Sequence, residues 1–248
     1  MERSCSLEEL WSSARPSGQT FDTSRLSLLP EGAKRYLQHA IADGTPLASA
    51  VRLRMHGEIK LKNWCPFSAE EVICWERGML WQATVRMHGL LIRGSDSWLD
   101  GHGTMRWKLF GIVPLVNASG TDITRSAAGR INIESIWLPS VLSRDNVSWT
   151  ESDRRHLRAR FTAHQETAEL DLTVDQIGRL KSVDMPRWGN PDGSQFSYYH
   201  CGGFVEKEGT FGGYTIPTHM QVGWHFGSER FEPGGEFFRV TIENAAYR

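Results

Sequence analysis

Arg130 and Glu134, in the stretch RINIESIWLPS (residues 130–140), are the pair best suited by type and spacing to do chemistry. In a helix, residues four apart share a face, and here that face also carries Ala127, Ile131 and Leu138. Ile133, Ile136 and Trp137 cover a second side, so the segment is apolar round most of its circumference and predicts a buried helix. Arg before Glu at this spacing is the weaker order for an exposed pair. A solvated helix face is the plain alternative. If buried, the couple is a structural clamp, a polar anchor inside a cavity, or a carboxyl whose pKa is moved for proton transfer. Spacing does not choose among these.

His102 and Asp100 in DGHG (100–103) are the other acid/base candidates, placed by a strong hairpin signal either in an exposed turn or at the rim of a cavity. Cys5, Cys65, Cys74 and Cys201 show neither C-x-x-C nor paired Cys/His spacing, which predicts reduced thiols rather than a zinc site. Cys201 follows His200, and neighbours on a strand point to opposite faces, so an extended segment here forms no dyad. His219 and His225 share a face but lie too far apart to touch, and a metal site would need a third ligand from elsewhere, such as His56 or His88. No metal is expected. GTFGG lacks the lysine and helix of a phosphate loop, and there is no G-x-S-x-G elbow, so no cofactor is expected either.

The elements that must position these residues read as mainly β. Residues 1–45 predict a peripheral helical arm: SLEELWSSA with Ser6 as cap, then PEGAKRYLQHAIADG with Pro30 at its start and Gly44 past its end. From 46 to 248 one sheet domain is expected. Val51, Leu53, Met55, Ile59 and Leu61 alternate with charged residues, and the same period returns at 81–87, 157–163, 168–174 and 220–226. Turn signals lie at RGS (93–95), DGHG, NPDGS (190–194), EGTFGGY (208–214) and PGG (233–235). Pro217 in GGYTIPT suggests an edge or bulged strand. The fold class is therefore a mainly β, α+β chain. A curved, largely antiparallel sheet or half-barrel of about ten strands wraps a central helix near 126–138, capped by Thr124 or Ser126 and stopped by Pro139.

Twenty-eight Lys and Arg against 29 Asp and Glu leave a net charge of -1, so no global field favours nucleic acid or an anionic membrane. The basic run DRRHLRAR (153–160) alternates with Leu157, Ala159 and Phe161 and reads as one wet strand face; no nucleic-acid partner is expected. The first residues have no signal-peptide pattern and no apolar run reaches the roughly 18 residues of a transmembrane segment. The expectation is a cytoplasmic protein. Ten Trp and eleven Phe are enough either to fill a curved sheet or to line a cavity in it.

Several motifs together resemble a known family: LPEGAKRYLQHAI (29–41), VRLRMHGEIKL (51–61), W-x-PF-x-AE (64–70), DGHGTMRWKLFGIVPL (100–115), TRSAAGR and ES-x-WLPS (124–140), W-x-x-x-D (149–153) and GGYTIPT (212–218). The chain resembles, over nearly all its length from about residue 20, an uncharacterised bacterial family classed as a domain of unknown function. That resemblance implies a curved antiparallel sheet around helices, similar to the lipoprotein carriers LolA and LolB, whose concave face holds acyl chains. It puts Arg130, Glu134, Trp137 and Pro139 on the family's best-marked segment and transfers no catalytic residue.

Three functions follow as expectations. In the first, the half-barrel binds a hydrophobic, amphipathic or lipid-like small molecule, with Arg130 and Glu134 as anchor, Trp81, Trp107, Trp137 and Trp224 as walls and Tyr214 as a further contact. The second is a cofactor-independent cyclase or isomerase in the same cavity, with Glu134 and His102 or Asp100 as acid or base. The third is a scaffold for partners. Oligomeric state is not legible.

Overall fold

Alternation of apolar and polar residues becomes thirteen antiparallel strands in the computed structural model, which describes residues 5–248, Pro233 through its backbone alone. They are β1 (Ala50–Lys60), β2 (Trp64–Cys74), β3 (Gly78–Met87), β4 (Leu90–Leu99), β5 (His102–Leu109), β6 (Val113–Ser119), β7 (Ser148–Glu151), β8 (His156–Ala163), β9 (Glu166–Val174), β10 (Leu180–Gly189), β11 (Ser197–Phe211), β12 (Tyr214–Trp224) and β13 (Glu236–Tyr247). About ten were expected. One reason is that RGS (93–95), taken for a turn, lies inside β4. Gly94 is there because the Trp107 ring covers it: a Cβ at this position would stand 2.3 Å from Trp107 Cδ2.

The strand order is β6-β5-β4-β3-β2-β1-β13-β12-β11-β10-β9-β8-β7. Two meanders, β1 to β6 and β7 to β12, are joined by β13, which pairs with β1 on one side and β12 on the other. β6 and β7 are thus the free edges, at opposite ends of the sheet, although only residues 120–147 separate them in sequence. The link crosses the concave face, and this is why the most apolar helix sits there. It carries α3 (Thr121–Ile133), then 3-10 turns at Glu134–Trp137 and Pro139–Val141.

α3 therefore begins five residues before the expected 126. Gly120 is its N-cap, while Thr124 Oγ1 accepts from Gly103 N at 3.0 Å and ties the helix to β5. The last turn expected of the helix is instead a 3-10 turn over Glu134–Trp137, with Leu138 already outside it as its C-cap, a tightening usual ahead of a proline that cannot continue the helix.

Among the described residues, a 3-10 helix (Thr23–Leu28) and two α-helices precede the sheet. The shorter, α1 (Leu7–Ser12), has the Ser6–Glu9 capping box and packs Leu10 on Ala50, Val72, Cys74 and Leu80, the outward parity of β1 to β3. The longer, α2 (Glu31–Ala40), is not peripheral, as its position in the arm suggested. Its Ala33, Tyr36, Leu37 and Ala40 stripe joins the main core with α3 and the inward faces of the strands. β12 is bulged at Pro217 but interior rather than an edge, because β13 returns beside it. No helix among the described residues is long and apolar enough to cross a membrane.

Candidate functional site

Alternate strand residues share a face, and on two inward faces an acid takes an apolar place. Along β2 the inward parity runs Cys65, Phe67, Ala69, Glu71; along β4 it runs Ile92, Gly94, Asp96, Trp98. Pairing sets Glu71 opposite Trp81 and Trp81 opposite Asp96, so acid, indole and acid stand on one rung. Arg130 descends onto that rung from α3. Its Nε donates to Glu134 Oε1 at 2.6 Å, Nη2 to Glu71 Oε1 at 3.1 Å and Nη1 to Asp96 Oδ2 at 3.3 Å. The guanidinium carbon is 5.0 Å from the Trp81 ring centre. Trp107 backs the arrangement, donating Nε1 to Asp96 Oδ1 at 2.9 Å with its ring 5.6 Å from Trp81.

One cation facing three acids leaves excess negative charge away from water. Glu71 is 0 % exposed. Burial, and after it the neighbouring Glu134 carboxylate, hold the Glu71 pKa well above the ordinary carboxylic range, since a buried charge is costly and like charges repel. Glu71 Oε2 and Glu134 Oε2 have no donor among the described residues. A proton on Glu71 removes one charge and lets its hydroxyl donate to Glu134, giving both oxygens a partner. Burial also raises Asp96, against the pull of Arg130. For Arg130, burial opposes the charge, but Glu134, Glu71 and Asp96 outweigh it and the pKa rises.

Beside this cluster lies a cavity of about 390 Å³, in the size range of small-molecule sites. It is lined by Trp81, Ile133, Ile136 and Trp137, by Met220, Val222, Trp224, Phe237 and Phe238, and, at the flank where they hydrogen-bond one another, by Asp96, Arg130 and Glu134. Arg187 enters from β10. Its Nε donates to the Ser126 carbonyl at 3.1 Å and its guanidinium carbon lies 5.0 Å from the Trp224 ring. Three buried polar atoms of lining residues have no protein partner among the described residues: Trp81 Nε1, Glu134 Oε2 and Asn190 Oδ1.

Residues 27–247 match the sequence model of a family of unknown function, DUF6920. The chain belongs to DUF6920. None of the curated proteins matches this DUF6920 chain. Two solved structures are similar to it in fold at 8 % sequence identity. One is a LolA superfamily protein from Nitrosomonas europaea, with a TM-score of 0.46 over 88 % of this chain and 92 % of that one. The other is a domain from Vibrio parahaemolyticus provisionally described as an outer membrane lipoprotein-sorting protein, with a TM-score of 0.41 over 81 % of this chain and 86 % of that one.

Of the residues singled out in the sequence, Arg130, Glu134, Trp81, Trp137 and Trp224 line the cavity, and Trp107 stands behind Trp81. Tyr214 does not reach it. Its hydroxyl donates to Pro46 O at 2.7 Å and accepts from Ala48 N at 2.9 Å, and its ring stacks 4.1 Å from Tyr247. Asp100 and His102 sit at the β4–β5 turn, where Asp100 pairs with Arg77 at 2.8 Å, so Glu134, His102 and Asp100 do not assemble. The turn demands this, because it falls at the far end of the sheet from the cavity. Sequence reasoning missed Glu71, Asp96, Arg187 and Asn190. For the two acids a signal exists: each continues the apolar parity of its strand.

Proposed function

We propose that this chain binds an amphipathic small molecule on its concave face, the apolar body against the aromatic and aliphatic walls and the polar end at the flank formed by Arg130, Glu134 and Asp96. One observation carries the reading. A cavity of about 390 Å³ sets aromatic and aliphatic walls beside the charged group of Asp96, Arg130 and Glu134, and a mostly apolar pocket with a few converging polar groups is the usual form of a small-molecule site.

Filling the cavity tests it. Val222 lines the cavity between Gly203 and Phe238 on one rung. With a fluorescent alkyl probe as reporter, Val222→Trp is expected to weaken binding at least ~10-fold while leaving the unfolding midpoint near that of the wild type. Unchanged affinity in a folded variant contradicts the reading.

The proton assigned to Glu71 beside Glu134 favours a second reading, acid/base isomerisation or cyclisation of the bound molecule, in which Glu134 is the group that touches the ligand. Here Glu134→Gln retains substrate where the wild type retains product. Identical molecules recovered from both proteins, by chromatographic retention and fragmentation, contradict this second reading alone.

A further inference from the structure

Antiparallel meanders put alternate turns at the same end of a sheet. The turns after β1, β3 and β5, at residues 61–63, 88–89 and 110–112, share one end with the loops 190–196 and 225–235 that follow the cavity-lining strands β10 and β12. The part of this end formed by the three hairpins is unusually apolar, while the two loops beside it carry Asp192, Glu229, Arg230 and Glu232. Among the described residues, seven of the eleven exposed large hydrophobic side chains belong to these three hairpins. Phe110, Ile112, Val113, Leu115 and Val116 crowd one of them, with Ile112 78 % exposed, and Leu61 and Leu90 stand on the other two. Phe110 N donates to Leu91 O at 2.7 Å, so two of the tips touch. An apolar patch of this kind marks an interaction surface.

Charge identifies the partner. The segments 59–67, 85–95 and 105–118 carry Lys60, Lys62, Arg86, Arg93, Arg106 and Lys108 and no Asp or Glu, in a chain whose net charge is -1. We propose that the β1–β2, β3–β4 and β5–β6 hairpin tips dock this protein on an anionic lipid bilayer, the aliphatic tips entering the interface while the cations around them meet lipid phosphates. A second copy fits this surface poorly. Pairing through the free edge β6 meets Pro114, which has no N–H to give, and a bulge at Trp107 and Lys108, both features that block strand addition; like tips would also bring cation against cation. The docking does not depend on what the cavity holds, but it would set the cavity's end of the sheet against the bilayer.

Sedimentation of the full chain with vesicles tests the proposal. Wild type is expected to pellet with vesicles of equal phosphatidylglycerol and phosphatidylcholine and to release as salt rises from 0.05 to 0.5 M, following the shrinking reach of charge, from ~14 Å to ~4 Å. The triple variant F110S/I112S/L115S alters exposed positions only and is expected to keep its unfolding midpoint and lose at least ~10-fold in vesicle affinity. K60Q/K62Q/R93Q/K108Q is expected to lose the preference for phosphatidylglycerol over pure phosphatidylcholine. Failure of the wild type to pellet, equal binding by the hairpin variant, or a hairpin-dependent dimer that does not bind vesicles would each overturn the docking.

Discussion

At the scale of the residue, the decisive feature is that Glu71 and Glu134 meet with two carboxyl oxygens that no protein donor reaches. The sign of the resulting pH dependence follows from the raised Glu71 pKa. Folded protein keeps a proton that the unfolded chain releases above roughly pH 4.3. This contribution to stability is therefore fully present below that pH and is lost as pH rises toward the folded value. Glu71→Gln keeps the size and the donor while discarding the titration. Its stability relative to wild type, from urea unfolding, is expected to be near zero at pH 4 and to grow in its favour by ~1 kcal/mol or more by pH 7. A difference that does not change with pH contradicts the shared proton.

At the scale of the element, the crossing link is anchored by its 3-10 turn. Trp137 Nε1 donates to Pro217 O at 3.1 Å, and Tyr247 Oη donates to Trp137 O at 3.1 Å, so β12 and β13 both grip the segment that carries Glu134. Trp137→Phe leaves the Pro217 carbonyl buried without this donor and is expected to cost ~1–3 kcal/mol by chemical denaturation; a cost within ~0.3 kcal/mol contradicts the anchoring role. Much of this level was legible in the sequence. The alternation of β1, β3, β8 and β9 and the burial of the Arg130 helix follow from side-chain periods. Other parts were not. RGS reads as a turn because its glycine signals flexibility, whereas Gly94 makes room for Trp107, a partner supplied by β5. α3 starts at Thr121 because of its tie to β5 through Thr124, which local capping chemistry does not contain. Glu71 and Asp96 sit on apolar parity in plain view, yet only the register between β2, β3 and β4 brings them to Arg130. Arg187 reaches the cavity from β10 through long-range packing alone.

At the scale of the whole molecule, one topological fact organises the rest: β13 joins two meanders into a single curved sheet whose free edges lie far apart in space but close in sequence. The connection has to cross the concavity, and it brings an arginine and a glutamate onto two acids already held on the sheet. Space remains between the helix and β10 to β13, and the pocket results. Photolabelling with a diazirine-bearing alkyl alcohol, mapped by peptide mass spectrometry, asks directly whether a ligand enters that space. Labels are expected on the peptides of the cavity wall, at Met220, Val222, Phe237 and Phe238, and should be displaced by excess unlabelled alcohol. Labels confined to the exposed hairpin around Phe110 and Ile112, with the wall unmarked, would contradict a binding site on the concave face.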